Sequence, residues 1–255
     1  MGLSQNRRRL IGRLRVRRQR EREASVLVEG VRAVNDALDA GADALFAVVA
    51  PTLLGSATAT DLIARLRDCC DTVDVAPGEL AELADTDQPQ GVLLVCRQPA
   101  ADLGGIPSEG ALLVLDAVQD PGNLGTLVRS AVAFAFDGVI VLDGTSDPWG
   151  PKAVRASAGT VFRIPIWSAT LSDAIAVLTT RRADVLVASG EGRSAADCVS
   201  VDARLSALVL GNEGVGVRAE LRQIARDTVA VPMKGPAESL NVGVAGSILM
   251  YEWTR

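Results

Sequence analysis

Apolar and polar positions along this chain follow two periods, one typical of strands and one typical of helices. In the first hundred residues, short apolar runs predict strands, and apolar residues at helical spacing predict helices. The predicted elements are a strand over 25–28, a helix over 29–40 that Gly41 ends, a strand over 44–50, a helix over 61–70, and strands over 72–75 and 91–97. This alternation is typical of an α/β domain.

A stretch without periodicity follows at 98–107, and it contains two prolines and two glycines, as interdomain linkers often do. Beyond it, the predicted elements are a strand over 111–115, a helix over 123–136, strands over 138–142 and 161–166, a helix over 171–182, strands over 185–189, 207–210 and 228–231, and a helix over 240–253. The alternation favours a mostly parallel sheet covered on both faces. We therefore predict domains at 1–100 and 109–255, with a linker at 101–108.

The net charge of -5 conceals an uneven distribution. Residues 1–22 carry nine arginines and one glutamate, a local charge of +8, which leaves -13 on the other 233 residues. A basic arm on an acidic body favours contact with nucleic acid, and arginine suits phosphate. A solvated tail and an amphipathic transit peptide remain the alternatives. The candidate RNA-contact residues are Arg7, Arg8, Arg9, Arg13, Arg17, Arg18 and Arg22.

The chain contains no histidine, and its four cysteines form no C-x-x-C motif. Catalysis of the Ser-His-Asp or Cys-His type is thereby excluded, and neither a metal site nor a disulfide framework is expected. We expect buried thiols in a reducing cytosol. No apolar run approaches the length of a membrane span, and no apolar region follows the N-terminal arginines, so a secretory signal is not predicted either.

Three blocks in the second part of the chain carry residues suited to chemistry. In the first block, Pro121 and Gly122 form a turn after a predicted strand, and Asn123 is a good N-cap. Asn123, Thr126 and Arg129 recur at intervals of three, which places them near one side of the following helix. The alternative is that Asn123 is only a cap and Arg129 only a surface charge.

The second and third blocks also open at strand ends, where ligands bind in open α/β sheets. The second, residues 211–219, contains Gly214-x-Gly216-x-x-Ala219, which fits a dinucleotide-binding pattern, so a nicotinamide-dependent dehydrogenase is an alternative. That pattern normally opens the first βα unit of its domain, and Glu213 would face a pyrophosphate. The third block, Pro232–Asn241, is stiffened by two prolines and begins the terminal helix, where Ser239 is alternatively a simple N-cap.

In chain order the blocks are N-x-x-x-x-x-R after a P-G turn, G-N-E-G after a strand, and P-M-x-G-x-x-E-S-L-N-V before a terminal helix. Over residues 108–255 the chain resembles the SpoU (TrmH-like) branch of the SPOUT RNA methyltransferases, and residues 147–159 look like the connecting segment of that family. Residues 1–100, with the run Val26–Gly30, resemble the smaller α/β L30e-like RNA-binding domain that precedes it in many ribosomal-RNA members.

The resemblance implies a C-terminal parallel-sheet domain with a deep trefoil knot, which binds S-adenosylmethionine and methylates a ribose 2′-hydroxyl. It also implies a cytoplasmic homodimer formed through that domain, without a metal. The substrate would be ribosomal RNA of the 23S type, because tRNA-specific relatives generally lack the leading domain. By position in the motifs, the implied cofactor-binding residues are Gly211, Val231, Met233 and Leu240. The implied catalytic residues are Asn123, Arg129, Glu213, Ser239 and Asn241.

In that reaction the ribose oxygen attacks the sulfonium methyl group and must lose its proton. The family proposal makes Arg129 the base, but a guanidinium group is very hard to deprotonate. The alternative is that Arg129 holds the phosphate of the target nucleotide and orients the hydroxyl. A tRNA 2′-O-methyltransferase and a non-catalytic RNA-binding protein on the same scaffold remain alternative functions.

Overall fold

The computed structural model describes residues 2–51, 57–198, 204–236 and 239–254, so Ala237 and Glu238 of the third block lie outside the described residues. The helices are α1 (Gln5–Arg13), α2 (Arg17–Glu23), α3 (Val31–Asp39), α4 (Ala57–Cys69), α5 (Pro77–Leu83), α6 (Pro121–Ala133), α7 (Pro151–Ala156), α8 (Leu171–Thr180), α9 (Ala195–Cys198), α10 (Ala219–Ile224) and α11 (Val242–Trp253). The strands are β1 (Ser25–Glu29), β2 (Ala44–Val49), β3 (Asp71–Asp74), β4 (Val92–Arg97), β5 (Gly110–Leu115), β6 (Gly138–Leu142), β7 (Ile166–Ala169), β8 (Asp184–Arg193), β9 (Leu205–Leu210) and β10 (Asp227–Val229).

The chain divides into two compact units. The first unit comprises Met1–Ala100 together with Asp147–Arg163, and the second comprises Ala101–Ser146 together with Ile164–Arg255. The segment Asp147–Arg163 thus belongs by packing to the first unit, although it follows β6 in the chain. The division into functional domains at residues 101–108 stays a prediction.

The first unit contains a four-stranded sheet in the order β1-β4-β2-β3. Strand β4 is antiparallel to β1 and β2, while β2 and β3 are parallel. The N-terminal arm packs against this unit as two helices that the sequence pattern did not predict. Ser4 caps α1 through its side chain, and Ile11 and Leu14 are fully buried in a core cluster with Phe46. Arginine-rich composition concealed this narrow apolar face.

The segment Asp147–Arg163 is fixed to the first unit by a buried charge and a close backbone contact. Arg20 is only 3% exposed and pairs with Asp147. Gly159 has a φ of +88°, and a Cβ there would lie 2.6 Å from the carbonyl oxygen of Ala33, so a side chain would be strained. The predicted strand over 161–166 is wrong. Residues 160–162 form a 3₁₀ turn between Gly159 and Pro165, and β7 begins only at Ile166.

The second unit contains a six-stranded sheet in the order β10-β8-β9-β5-β6-β7, and every neighbouring pair is parallel. This confirms the prediction of an α/β fold with a parallel sheet. Strands β5 and β9 lie at the centre and are buried almost throughout. Because all strands run in one direction, their carboxyl ends meet at a single edge, where the loops that follow β8, β9 and β10 gather.

Candidate functional site

A cavity of about 550 Å³ lies at the carboxyl ends of β8, β9 and β10, next to the start of α11. Its volume falls within the range of roughly 300–1,000 Å³ typical of ligand pockets. The predicted cofactor-binding residues all line the cavity, and they are Gly211, Val231, Met233 and Leu240. Three of the predicted catalytic residues line it as well, namely Glu213, Ser239 and Asn241. The second and third blocks, which α10 and β10 separate in the chain, therefore form one concave surface.

The loop after β9 is tightly built. A Cβ at Gly211 would lie 2.3 Å from the carbonyl carbon of Gly216, so only glycine fits here. The side-chain oxygen of Asn212 accepts hydrogen bonds from the backbone N–H groups of Gly214 (2.9 Å) and Val215 (3.1 Å). Asn212 and Gly216 also form an isolated β-bridge. These contacts hold the cavity wall in one conformation.

The N-caps of both motif helices differ from the sequence expectation. Asn241, and not Ser239, caps α11, because its side-chain oxygen accepts hydrogen bonds from Gly243 N (2.9 Å) and Val244 N (3.2 Å). Asp120, and not Asn123, caps α6 by accepting from the N–H of Asn123 (2.9 Å). Each helix begins at a different residue from the predicted one, so neither Asn123 nor Ser239 is the N-cap. The side chains of Asn123 and Ser239 are thereby left available at the site.

A hydrogen-bond chain joins all three blocks. The amide of Asn241 donates to Asn123 Oδ1 (3.0 Å), and the amide of Asn123 donates to Glu213 Oε1 (2.9 Å). Because a carboxylate only accepts hydrogen bonds, Asn123 must turn its NH₂ group to Glu213 and its oxygen to Asn241. Three residues that are distant in sequence therefore act as one polar unit beside the cavity.

Arg129 and Ser239 do not take part in this series of hydrogen bonds. Arg129 is exposed on α6, does not line the cavity, and makes no hydrogen bond or ion pair within the part of the chain that the structure describes. Ser239 is exposed and lines the cavity, but its hydroxyl has no partner among the same residues. Their predicted catalytic roles remain predictions.

The cavity also contains residues that the sequence did not indicate. Ala188, Ser189 and Gly190 of β8 line one wall, and Arg222 of α10 adds a positive charge. Arg222 is held by a hydrogen bond from its Nε to the carbonyl of Val217 (2.9 Å). Strand β8 could not be assigned to the site from sequence, because nothing in the chain shows that β8 lies beside β9 in the sheet.

The predicted RNA-contact arginines fall into two sets. Four of them form ion pairs within the first unit: Arg7 with Asp71, Arg8 with Glu79 and Glu82, Arg13 with Glu23, and Arg17 with Glu21. The other three are exposed and form no ion pair among the described residues, and they are Arg9, Arg18 and Arg22. Much of the positive charge of the arm is therefore neutralised locally.

The cysteines are free thiols in different surroundings. Cys96 and Cys198 are buried as expected, whereas Cys69 is exposed. Burial raises the pKa of Cys96 to about 12 and that of Cys70 to about 11. Among the described residues, no group of three or more His, Cys, Asp or Glu side chains is arranged to hold a metal ion, and no helix there is long and apolar enough to cross a membrane.

The cavity lies where parallel strand ends meet polar loops, next to a fixed set of amide and carboxylate groups. This arrangement defines a small-molecule-binding α/β protein. Two family models make that class specific. Residues 110–251 match the SpoU rRNA Methylase family, and residues 6–94 match the MRM3-like substrate binding domain. The chain therefore belongs to the SpoU rRNA methylase family, as the motif resemblance predicted.

Individual relatives agree with this assignment along nearly the whole chain. The 23S rRNA (guanosine(2553)-2′-O)-methyltransferase RlmP of Bacillus subtilis is 31% identical over 239 residues, which cover 94% of this chain and 92% of that protein. The 23S rRNA (uridine(2479)-2′-O)-methyltransferase of Streptomyces viridochromogenes is 32% identical over 250 residues, which cover 94% of this chain and 85% of that protein.

Solved structures show the same similarity. The SpoU methyltransferase AviRb from Streptomyces viridochromogenes, in complex with the cofactor AdoMet, matches with a TM-score of 0.86 and 27% identity, over 99% of this chain and 97% of that one. An AdoMet-bound rRNA methyltransferase from Sinorhizobium meliloti matches with a TM-score of 0.85 and 28% identity, over 99% of this chain and 95% of that one.

Proposed function

We propose that this protein transfers a methyl group from S-adenosylmethionine to a ribose 2′-hydroxyl of ribosomal RNA of the 23S type. The observation that carries the proposal is the hydrogen-bonded unit of Asn241, Asn123 and Glu213 beside the cavity at the strand ends. A member of the SpoU family whose three motif blocks are assembled in this way has the elements of a methyl-transfer site.

The cavity suits S-adenosylmethionine in size and in the chemistry of its walls. Its backbone edges at Gly211 and Val231 offer hydrogen-bonding groups, while Met233 and Leu240 offer apolar contact. When bound, the cofactor supplies an electrophilic methyl group on a positively charged sulfur. Glu213 lies on the cavity wall with a negative charge, which favours a cationic ligand there.

In this proposal each polar residue has a distinct task. Glu213 fixes the amide of Asn123, and Asn241 fixes its oxygen, so the loops keep one arrangement while RNA binds. Ser239, whose hydroxyl has no partner among the described residues, offers that hydroxyl to the ribose. Arg129, an exposed cation without a carboxylate partner in the described residues, binds a phosphate of the target nucleotide and thereby orients the 2′-hydroxyl.

RNA binding in this proposal also uses the N-terminal arm. Arg9, Arg18 and Arg22 are the arm residues that we assign to phosphate contacts, because their charges are not neutralised by carboxylates in the described part of the first unit. Arg7, Arg8, Arg13 and Arg17 are assigned mainly to the stability of the unit, because each forms an ion pair there.

We also propose a cytoplasmic homodimer formed through the second unit, with the trefoil knot that the family resemblance implies. Two large apolar side chains on α11 are exposed, namely Val244 (48%) and Tyr251 (50%). Tyr251 also contacts the ring of Phe134 at the end of α6, with ring centroids 5.8 Å apart. An apolar strip on paired helices is a suitable surface for a second copy. Sedimentation of the full chain as a monomer at micromolar concentration would refute this part.

The proposed function is tested by transfer of a tritiated methyl group from S-adenosylmethionine to purified 23S rRNA, 16S rRNA and tRNA, followed by mapping of the product. We expect 2′-O-methylation at one nucleotide of 23S rRNA. Methylation of tRNA alone would replace the proposed substrate, and a methylated base would refute the proposed chemistry. RNA binding without calorimetric binding of S-adenosylmethionine would favour a non-catalytic RNA-binding protein instead.

A further inference from the structure

The loop that leads from β5 into α6 contains a strained residue. Ala117 has a φ of +59°, in the left-handed region that disfavours residues with a Cβ. Its backbone N–H donates to Thr145 Oγ1 (2.9 Å), and its carbonyl accepts from the side-chain amide of Asn212 (3.0 Å). Strained backbone of this kind persists only where the surroundings hold it from several sides.

Thr145 holds the loop from the side of β6. The residue is only 5% exposed, and its hydroxyl donates to the carbonyl of Leu115 (2.9 Å) while it accepts from Ala117. The next residue, Ser146, donates its N–H to the carbonyl of Val118 (2.9 Å). Thr145 thus satisfies two backbone groups on either side of Asp116, the carbonyl of Leu115 and the N–H of Ala117.

The second block holds the same loop from the other side. Asp116 is fully buried and accepts hydrogen bonds from the backbone N–H of Arg218 (2.7 Å) and from its Nε (2.5 Å). Asn212, which shapes the cavity wall, binds the carbonyl of Ala117. The path of the chain into α6 is therefore set by Thr145 on one side and by the second block on the other.

We infer that Thr145 is a positioning residue for methyl transfer. By holding Ala117 in the left-handed conformation, it fixes the start of α6, from which Asn123 reaches Glu213 and Asn241. Thr145 does not line the cofactor cavity, so its hydroxyl acts on the polar unit and not on the methyl donor. This inference rests on the proposed function, since it assigns Thr145 a part in that reaction.

The test compares wild type with Thr145→Val, which keeps the shape but lacks the hydroxyl, and with Thr145→Ser, which keeps the hydroxyl. We expect Thr145→Val to lower the single-turnover methylation rate at saturating RNA by about tenfold or more, because small misplacements of reacting groups are costly. The Kd for S-adenosylmethionine should stay within about twofold, and Thr145→Ser should restore most of the rate. If Thr145→Val fails to fold by circular dichroism, Thr145→Ala replaces it with the same expectations.

A rescue experiment separates positioning from a general loss of stability. Glycine adopts a positive φ without strain, so Ala117→Gly in the Thr145→Val background should recover a substantial part of the rate. The side-chain amide resonance of Asn123 should shift in Thr145→Val and return in the double variant. A wild-type rate in Thr145→Val, or no recovery in rate or resonance with Ala117→Gly, would overturn the inference. If wild type itself methylates no RNA, the proposed function fails, and the Asn123 resonance alone then decides the role of Thr145.

Discussion

The N-terminal arm and the loops at the strand ends of the second unit use their polar side chains in opposite ways. In the arm, Arg7 and Arg8 pair with carboxylates of their own unit, so their charge contributes to folding. In the loops, Asn123 and Asn241 bind each other across 118 positions of sequence. The difference shows that dense charge in a sequence does not by itself mark a binding surface. Polar groups that the fold brings together, with Arg129 left exposed nearby, indicate function more directly.

The strongest test of this comparison replaces Arg129, the exposed arginine of α6. We expect Arg129→Ala to lower the methylation rate by roughly 10²–10³-fold, as the loss of one charged group that acts on the transition state commonly does. The Kd for S-adenosylmethionine should not change, because Arg129 does not line the cavity. Arg97→Ala serves as the control, since it removes an exposed arginine of the first unit that pairs with Asp43. A normal rate in Arg129→Ala would contradict both roles considered for this residue.

The second test alters the cavity wall at Gly211. Gly211→Ala places a Cβ against the backbone of Gly216, so the loop must shift. We expect the Kd for S-adenosylmethionine to rise at least about tenfold and the free energy of unfolding to fall by about 1–3 kcal/mol. The matched control is Gly235→Ala in the third block, where an added Cβ meets no atom of the described residues within 4 Å. Calorimetry and thermal melting provide the measurements, and equal behaviour of the two variants would remove Gly211 from the site.

The third test separates the two sets of arm arginines. The triple variant Arg9→Ala, Arg18→Ala, Arg22→Ala should raise the KM for RNA about tenfold. The slope of log binding constant against log salt concentration should become shallower by about three, one for each lost phosphate contact. The triple variant Arg7→Ala, Arg8→Ala, Arg13→Ala should change RNA affinity much less, because each of these residues is already paired. Fluorescence anisotropy over a range of salt concentrations measures both. Equal losses in the two variants would show that the ion pairs open when RNA binds.

The smallest effect concerns the thiols of the first unit. At pH 8 we expect iodoacetamide to modify Cys69 first, because it is exposed, and Cys96 last. Burial raises the pKa of Cys96 to about 12, so its thiol stays protonated at pH 8, and only the thiolate is a good nucleophile. Methylation activity should be unaffected by modification of Cys69. Peptide mass spectrometry gives the order, and rapid modification of Cys96 would indicate that the first unit opens readily.

The sequence predicted most strands and the parallel sheet of the second unit, because buried strands form continuous apolar runs there. The four residues that the family resemblance implies for cofactor binding all line the cavity, and their role stays a prediction. The sequence pattern missed α1, because arginines outnumber the apolar positions of that helix, and it placed the caps of α6 and α11 three and two residues away from the observed ones. The contribution of β8 to the cavity depends on strand order, which single-chain patterns do not contain.

The packing of Asp147–Arg163 has a practical consequence for dissecting the protein. A cut at residues 101–108 would leave a fragment of 1–100 in which Arg20, buried in the intact chain, lacks its partner Asp147. The remaining fragment would expose Trp149 and Val154, which are buried in the intact chain. Cleavage of the protein at its predicted linker should therefore yield two fragments that aggregate. A division that preserves the packing would have to join the seventeen residues Asp147–Arg163 to the first fragment.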